Sequence, residues 1–196
     1  MGGNMQVIDL DIALADLPYQ VRRRLTVPAA VKLTDLHKLL QAAMGWEDAH
    51  LYDFTCGRTH RWADGQSFFD DQGNHKVKGA TLADILATMG RQKTFTYTYD
   101  MGDSWEHVIK PGKPRDLAPG QAVIALPEAV GACPPEDSGG APGFCYMLDC
   151  IEDPASEERE NYLEWLGGPF DRQADLAALT AGFDKLAKRL SKAYPG

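Results

Sequence analysis

An α+β fold, with a mainly antiparallel sheet, helices packed on one face and a helical C-terminal part, follows from three features of this 196-residue sequence. Two-residue alternation of apolar and polar side chains recurs through the first 125 residues, the period of a half-buried strand. Two segments of helical period interrupt it, and from residue 141 onward the period is helical throughout. Strands first and helices last make an α+β arrangement rather than a βαβ array. No internal repeat or low-complexity linker divides the chain. One domain over residues 1–196 is the simplest count, with a looser attachment of residues 141–196 as the alternative.

Taken in order, residues 5–13 and 21–27 read as strands joined by a turn at Asp16-Leu17-Pro18. Arg22 and Arg24 share one face of the second strand, as on a solvated outer sheet face. Residues 34–44 predict a helix: Thr34 is the expected N-cap, Leu36, Leu39, Leu40, Ala43 and Met44 make the apolar stripe, and Gly45 ends it. His37 is expected on its exposed side. Residues 51–57 form a strand with Tyr52, Phe54 and Cys56 on one face, and residues 60–75 read as a loop anchored by Phe68 and Phe69. Thr81 opens a short helix with Asp84 in capping-box position, closed by Gly90.

Residues 94–107, TFTYTYDMGDSWEH, predict a β-hairpin. Phe95, Tyr97 and Tyr99 project from one face, Asp100 to Ser104 supply the turn, and Trp105, His107 and Ile109 alternate on the returning strand. A Pro/Gly-rich connection follows, then a short strand at 122–125 and a stiff Pro-Pro turn, Cys133-Pro134-Pro135-Glu136-Asp137. Helices are expected at 144–151, from Asp153-Pro154 to Leu166 with Tyr162, Leu163, Trp165 and Leu166 packing inward, and through Leu176, Leu179, Phe183, Leu186 and Leu190.

Net charge is −8 and uneven. Residues 1–125 hold 14 Lys/Arg against 15 Asp/Glu, whereas residues 126–196 hold 6 against 13. Nucleic-acid binding draws its affinity from neutralised phosphates, so this balance disfavours it; a DNA-binding alternative would depend on Arg22 and Arg24. No apolar run approaches the roughly 18 residues that span a bilayer, and no signal-peptide core follows Met1, so a cytoplasmic protein without membrane association is expected. The four cysteines form no CxxC pair and read as free thiols.

The side chains able to carry chemistry are His50, Asp100, Asp103, Trp105, His107, Cys133, Glu136 and Asp137. They lie in three segments expected to converge at one edge of the sheet. None has metal-ligand spacing such as HxxxH, so no metal or cofactor is assigned. Cys133 has no helix N-terminus of its own to activate it, and Gly139 to Gly143 lack the Gly-Lys-Ser/Thr of a phosphate cradle. With Trp46, Tyr97 and Tyr99, the eight suit a binding patch for a protein or peptide. The alternative is a metal-dependent hydrolase or nuclease-like enzyme built on His50, His107, Asp103 and Asp137.

Residues 33–54, 97–107, 132–140 and 162–171 together resemble the plasmid pRiA ORF-three-like family of bacterial and archaeal proteins. Some of these carry the label of transposon TnpR-like passenger proteins. The resemblance runs in one order from about residue 6 to residue 171 and implies a compact α+β fold, with no established activity. Arg22 stands where such proteins commonly show Trp, and Ser138 where they commonly show Cys. Recombinase chemistry is excluded on the residues: the first serine is Ser67, and no basic helix-turn-helix occupies the acidic C-terminal part.

Overall fold

Alternation builds the centre of the sheet. In β1 (Gln6–Leu14), Ile8, Leu10, Ile12 and Leu14 face the core, while Asp9 and Asp11 face outward. β2 (Arg22–Pro28) pairs antiparallel with it, placing Asp11 opposite Arg24, and those side chains form an outer-face ion pair at 2.7 Å. β3 (Tyr52–Cys56), β6 (Phe95–Tyr99) and β7 (Trp105–Pro111) repeat the pattern with aromatics inward. The computed structural model describes residues 5–63 and 74–194.

The order across the sheet is β5 (Asn74–Lys76), β4 (His60–Ala63), β3, β6, β7, β1, β2 and β9 (Ala125–Val130), with β8 (Arg115–Asp116) pairing β1 off this path. Among the described residues every pair is antiparallel except β4 with β5. Helices α1 (Leu33–Met44), α2 (Leu82–Thr88), α3 (Gly140–Glu152) and α5 (Leu176–Leu190) contribute to one core over the apolar face. α4 (Arg159–Leu166) has no fully buried residue. α5 packs against α1 and against β9, with Phe183 wholly buried. Among the described residues no helix is long and apolar enough to cross a membrane.

The α+β architecture is as the sequence predicts, and several local expectations are corrected. The segment 60–75 is not merely loop, since β4 and β5 lie at its two ends; Phe68 and Phe69 fall outside the described residues. β9 starts at Ala125 rather than residue 122 and carries Pro127, which an edge strand tolerates because one side of it needs no ladder donor. α1 begins at Leu33 with Lys32 at its N-cap, not Thr34, and the Lys32 amide donates to the Tyr194 hydroxyl at 3.0 Å. α3 begins at Gly140 and holds Pro142 in its first turn, where no intrahelical donor is lost. α4 begins only at Arg159, because Asp153 closes an Asx turn on the Ala155 amide (2.9 Å) instead of capping a helix.

His37 is the largest revision on α1: it is buried, not exposed. Its ring stacks on Tyr52 with centroids 3.5 Å apart and planes 4° from parallel. Nδ1 lies 2.7 Å from the Tyr97 hydroxyl and Nε2 lies 2.5 Å from Asp48. Gln41 donates to the same hydroxyl at 3.0 Å and accepts from the Asp48 amide at 3.0 Å. These bonds are mutually consistent when Tyr97 donates to Nδ1 and Nε2–H donates to the Asp48 carboxylate.

Arg23 is likewise buried, against the polar pattern of its triplet. It donates to the carbonyls of Ala43 (2.6 Å), Arg22 (2.7 Å), Val130 (2.9 Å) and Gly131 (3.0 Å). Ala43 sits in the last turn of α1, where carbonyls lack helical partners and the helix dipole favours a cation.

Candidate functional site

β3 starts opposite the end of β6, where Tyr52 pairs with Tyr99, and β7 starts opposite that same residue. The segment before β3 and the β6–β7 turn therefore meet at one end of the strands. This is the end of the central strands, not a side edge of the sheet. The Asp100 amide donates to the Leu51 carbonyl at 2.9 Å and locks the two together. The Pro-Pro turn after β9 closes over them: Trp46 Nε1 donates to the Pro134 carbonyl at 2.9 Å, and Trp46 stacks on Tyr99 at 5.2 Å.

Three of the eight candidate residues gather their reactive atoms here. His50 Nδ1 lies 3.7 Å from Asp100 Oδ2, and its Nε2 lies 3.2 Å from Asp137 Oδ1. Asp100 Oδ1 is held by the Gly102 amide at 2.8 Å, so Oδ2 is the oxygen turned toward the imidazole. Asp137 is the exposed member, its side chain 74% accessible. Asp48, Asp100, Ser104 and Asp137, all around this cluster, have φ between 55° and 60°. That left-handed conformation costs roughly 1–3 kcal/mol for a non-glycine residue, and the surrounding contacts enforce it.

Two other candidates fasten the site. Glu136 accepts from the Tyr99 hydroxyl at 2.5 Å and from the Glu47 amide at 3.1 Å. The Tyr99 oxygen in turn accepts from the amides of Ala49 (2.9 Å) and His50 (3.3 Å). Burial, then the bond to Glu136, raises the Tyr99 phenol well above its ordinary range. Asp103 accepts from the Gly139 amide at 3.1 Å and ties the hairpin turn to the start of α3.

Of the remaining three, Trp105 and His107 are buried and Cys133 is partly buried. Trp105 is core, 2% exposed. His107 is fully buried, with Nδ1 3.0 Å from the Trp105 carbonyl and 3.1 Å from the Tyr97 carbonyl. Cys133 Sγ accepts from Arg23 Nη2 at 3.2 Å and lies 3.3 Å from Met44 Sδ. Burial pushes its thiol up to about 11, the opposite of what a nucleophile needs.

Beside Asp137 a cleft of about 550 Å3 opens between the Pro-Pro turn, α3 and α4, lined by Tyr146, Met147, Asn161, Tyr162 and Trp165 among others. Tyr146 is 54% exposed and Trp165 51%, so Trp165 is not the packing residue its period suggests. Cys150 and then Glu158, both beside it, push the Tyr146 phenol up to about 12. Sequence reasoning did not find this cleft. The usable signal was α4 itself, where Tyr162 and Trp165 stand among Glu160 and Glu164 with too few aliphatic residues to bury both rings.

An α+β sheet whose helical C-terminal part forms one wall of an aromatic cleft defines the class. The chain belongs to the family described as plasmid pRiA4b ORF-3-like protein, whose sequence model matches residues 6–178. It is 35% identical over 188 residues to the uncharacterized protein y4hQ of Sinorhizobium fredii (strain NBRC 101917 / NGR234), covering 93% of this chain and 89% of that protein. It is also similar to the crystal structure of MM3350, a protein of unknown function from Methanosarcina mazei Go1. The TM-score is 0.76 at 30% identity, over 88% of this chain and 96% of that one.

Proposed function

We propose that the protein is a non-catalytic binding module whose aromatic cleft receives a Lys/Arg-bearing, partly apolar segment of a partner protein. The observation that carries this reading is the pair of half-exposed rings, Tyr146 and Trp165, set in the most acidic part of the chain. Residues 136–164 hold nine Asp/Glu against the single Arg159, a net −8 equal to that of the whole molecule. Aromatic anchors supply contact area and cation–π attraction at little entropic cost, while the net negative charge of this segment, with Asp137 on the cleft itself, speeds and selects the approach of a cation. The plasmid in the family's name supports placing the partner among proteins of mobile elements, in the cytoplasm.

The hydrolase alternative is the less supported reading, because His107, one of its four residues, is fully buried with Nδ1 on the Trp105 and Tyr97 carbonyls.

A fluorescent twelve-residue Lys/Leu peptide and its Glu/Leu counterpart test the proposal. The expected result is saturable binding of the Lys/Leu peptide only, weakened about ten-fold or more by Trp165→Ala and by added salt. Equal affinity of the variant, or equal binding of both peptides, would overturn it.

A further inference from the structure

His50, Asp100 and Asp137 come from three separate segments, yet each offers one ligand atom within 4.8 Å of the other two. We propose that these three side chains form a binding site for a divalent transition-metal ion of the Mn2+ or Zn2+ kind. The donor set is one imidazole nitrogen and two carboxylate oxygens, which suits such ions better than the all-oxygen shells preferred by Ca2+ or Mg2+. Two carboxylates also balance the charge of a divalent ion.

The two carboxylates face different ring nitrogens of His50: Nδ1 lies 3.7 Å from Asp100 Oδ2, beyond hydrogen-bond range, and Nε2 lies 3.2 Å from Asp137 Oδ1, as in an ordinary ion pair. One ion takes one nitrogen, and ligands about 2.0–2.2 Å from a metal stand roughly 3–4.4 Å from each other, so the exposed Asp137 side chain swings from the Nε2 side toward Nδ1 to complete the set. Asp100 is oriented as a ligand should be, with its second oxygen fixed by the Gly102 amide. The His50 backbone amide is held by Tyr99, which Glu136 holds in turn. Three protein ligands leave the outward coordination positions to water or to a donor group arriving from the neighbouring cleft, with Asp137 shared between the two. The site does not depend on the peptide reading.

The experiment is calorimetric titration of chelator-treated protein with Mn2+ and with Zn2+, using His50→Ala, Asp100→Asn and Asp137→Asn. A fourth variant, His75→Ala, is the control, because the His60 and His75 rings lie 6.1 Å apart and could collect Zn2+ by themselves. The expected result is one ion per chain, with affinity falling at least about ten-fold in each of the first three variants and unchanged in the control. Asp137→Asn alters an exposed side chain, so an unchanged circular dichroism spectrum separates lost binding from lost fold. Absence of saturable binding, or loss that follows His75 instead of His50, would overturn the assignment.

Discussion

His107 carries its hydrogen on Nδ1, because both partners of that atom, the Tyr97 and Trp105 carbonyls, can only accept. Its basic Nε2 is buried without a hydrogen-bond partner among the described residues. Protonation would place a cation in the core near the Arg23 guanidinium. Burial accordingly lowers the pKa to about 4, outweighing the two carbonyl bonds that raise it. Well above pH 6.5 the residue is neutral folded or unfolded and contributes no pH dependence. As pH falls from about 6.5 toward 4, the unfolded chain gains a proton that the fold refuses, and stability is lost over that window. Urea unfolding at pH 7 and 4.5 should show the wild type losing roughly 2–3 kcal/mol more than His107→Leu. Equal losses would mean the imidazole protonates in place. At this scale the sequence is ambiguous, since alternation puts His107 on the inward face without saying whether that face reaches solvent. His37 was more legible than its polarity suggests: it lies four residues after Leu33 and three before Leu40, on the buried side of α1.

Hairpin and helix meet at Gly140. Its φ is 67°, and a Cβ there would run into the Asp103 carbonyl oxygen, which is backbone and cannot rotate away. Gly167, which ends α4 at φ 74°, has open space around the same position. Gly167→Ala should therefore cost only the conformational strain, about 1 kcal/mol. Gly140→Ala should cost at least roughly 2 kcal/mol more, because the α3 N-terminus must part from the hairpin turn. Chemical denaturation of the two variants checks the difference, and similar costs would mean the junction is soft. Elements with a strong local code are the ones that sequence reading finds. The Thr81–Asp84 capping box is formed, and the β6–β7 hairpin pairs in the register its alternation implies. β4, β5 and β8 are two to four residues long, too short for a local periodicity to announce them, even though β4 forms a tight hairpin with β3; β8 makes its bonds to the distant β1. The site is legible to the same degree: turn chemistry marks Asp100, Asp103 and Asp137, but only the tertiary path of β3 brings His50 between two of them.

Across the whole molecule the end of the chain returns to the first helix. Tyr194 donates to Asp35 at 2.6 Å and accepts from the Lys32 amide, so it serves the N-terminus of α1 that lacks a side-chain cap. Along α5, Phe183 is fully buried, and Leu179 packs where α1 ends, 3.4 Å from where a Cβ on Gly45 would lie. Buried area of this kind couples the stability of α5 to that of the sheet and α1, and we propose that residues 141–196 unfold with the rest as one unit. Phe183→Ala should lower stability by about 3–5 kcal/mol. In that variant and in the wild type, tryptophan fluorescence and far-ultraviolet circular dichroism should trace a single coincident transition. The fluorescence samples both parts, since Trp46, Trp62 and Trp105 lie in the sheet region and Trp165 lies in α4. A loosely held C-terminal part would instead separate the two curves, its helical signal melting first while the buried tryptophans kept their native emission. In that case Phe183→Ala would move only the earlier transition.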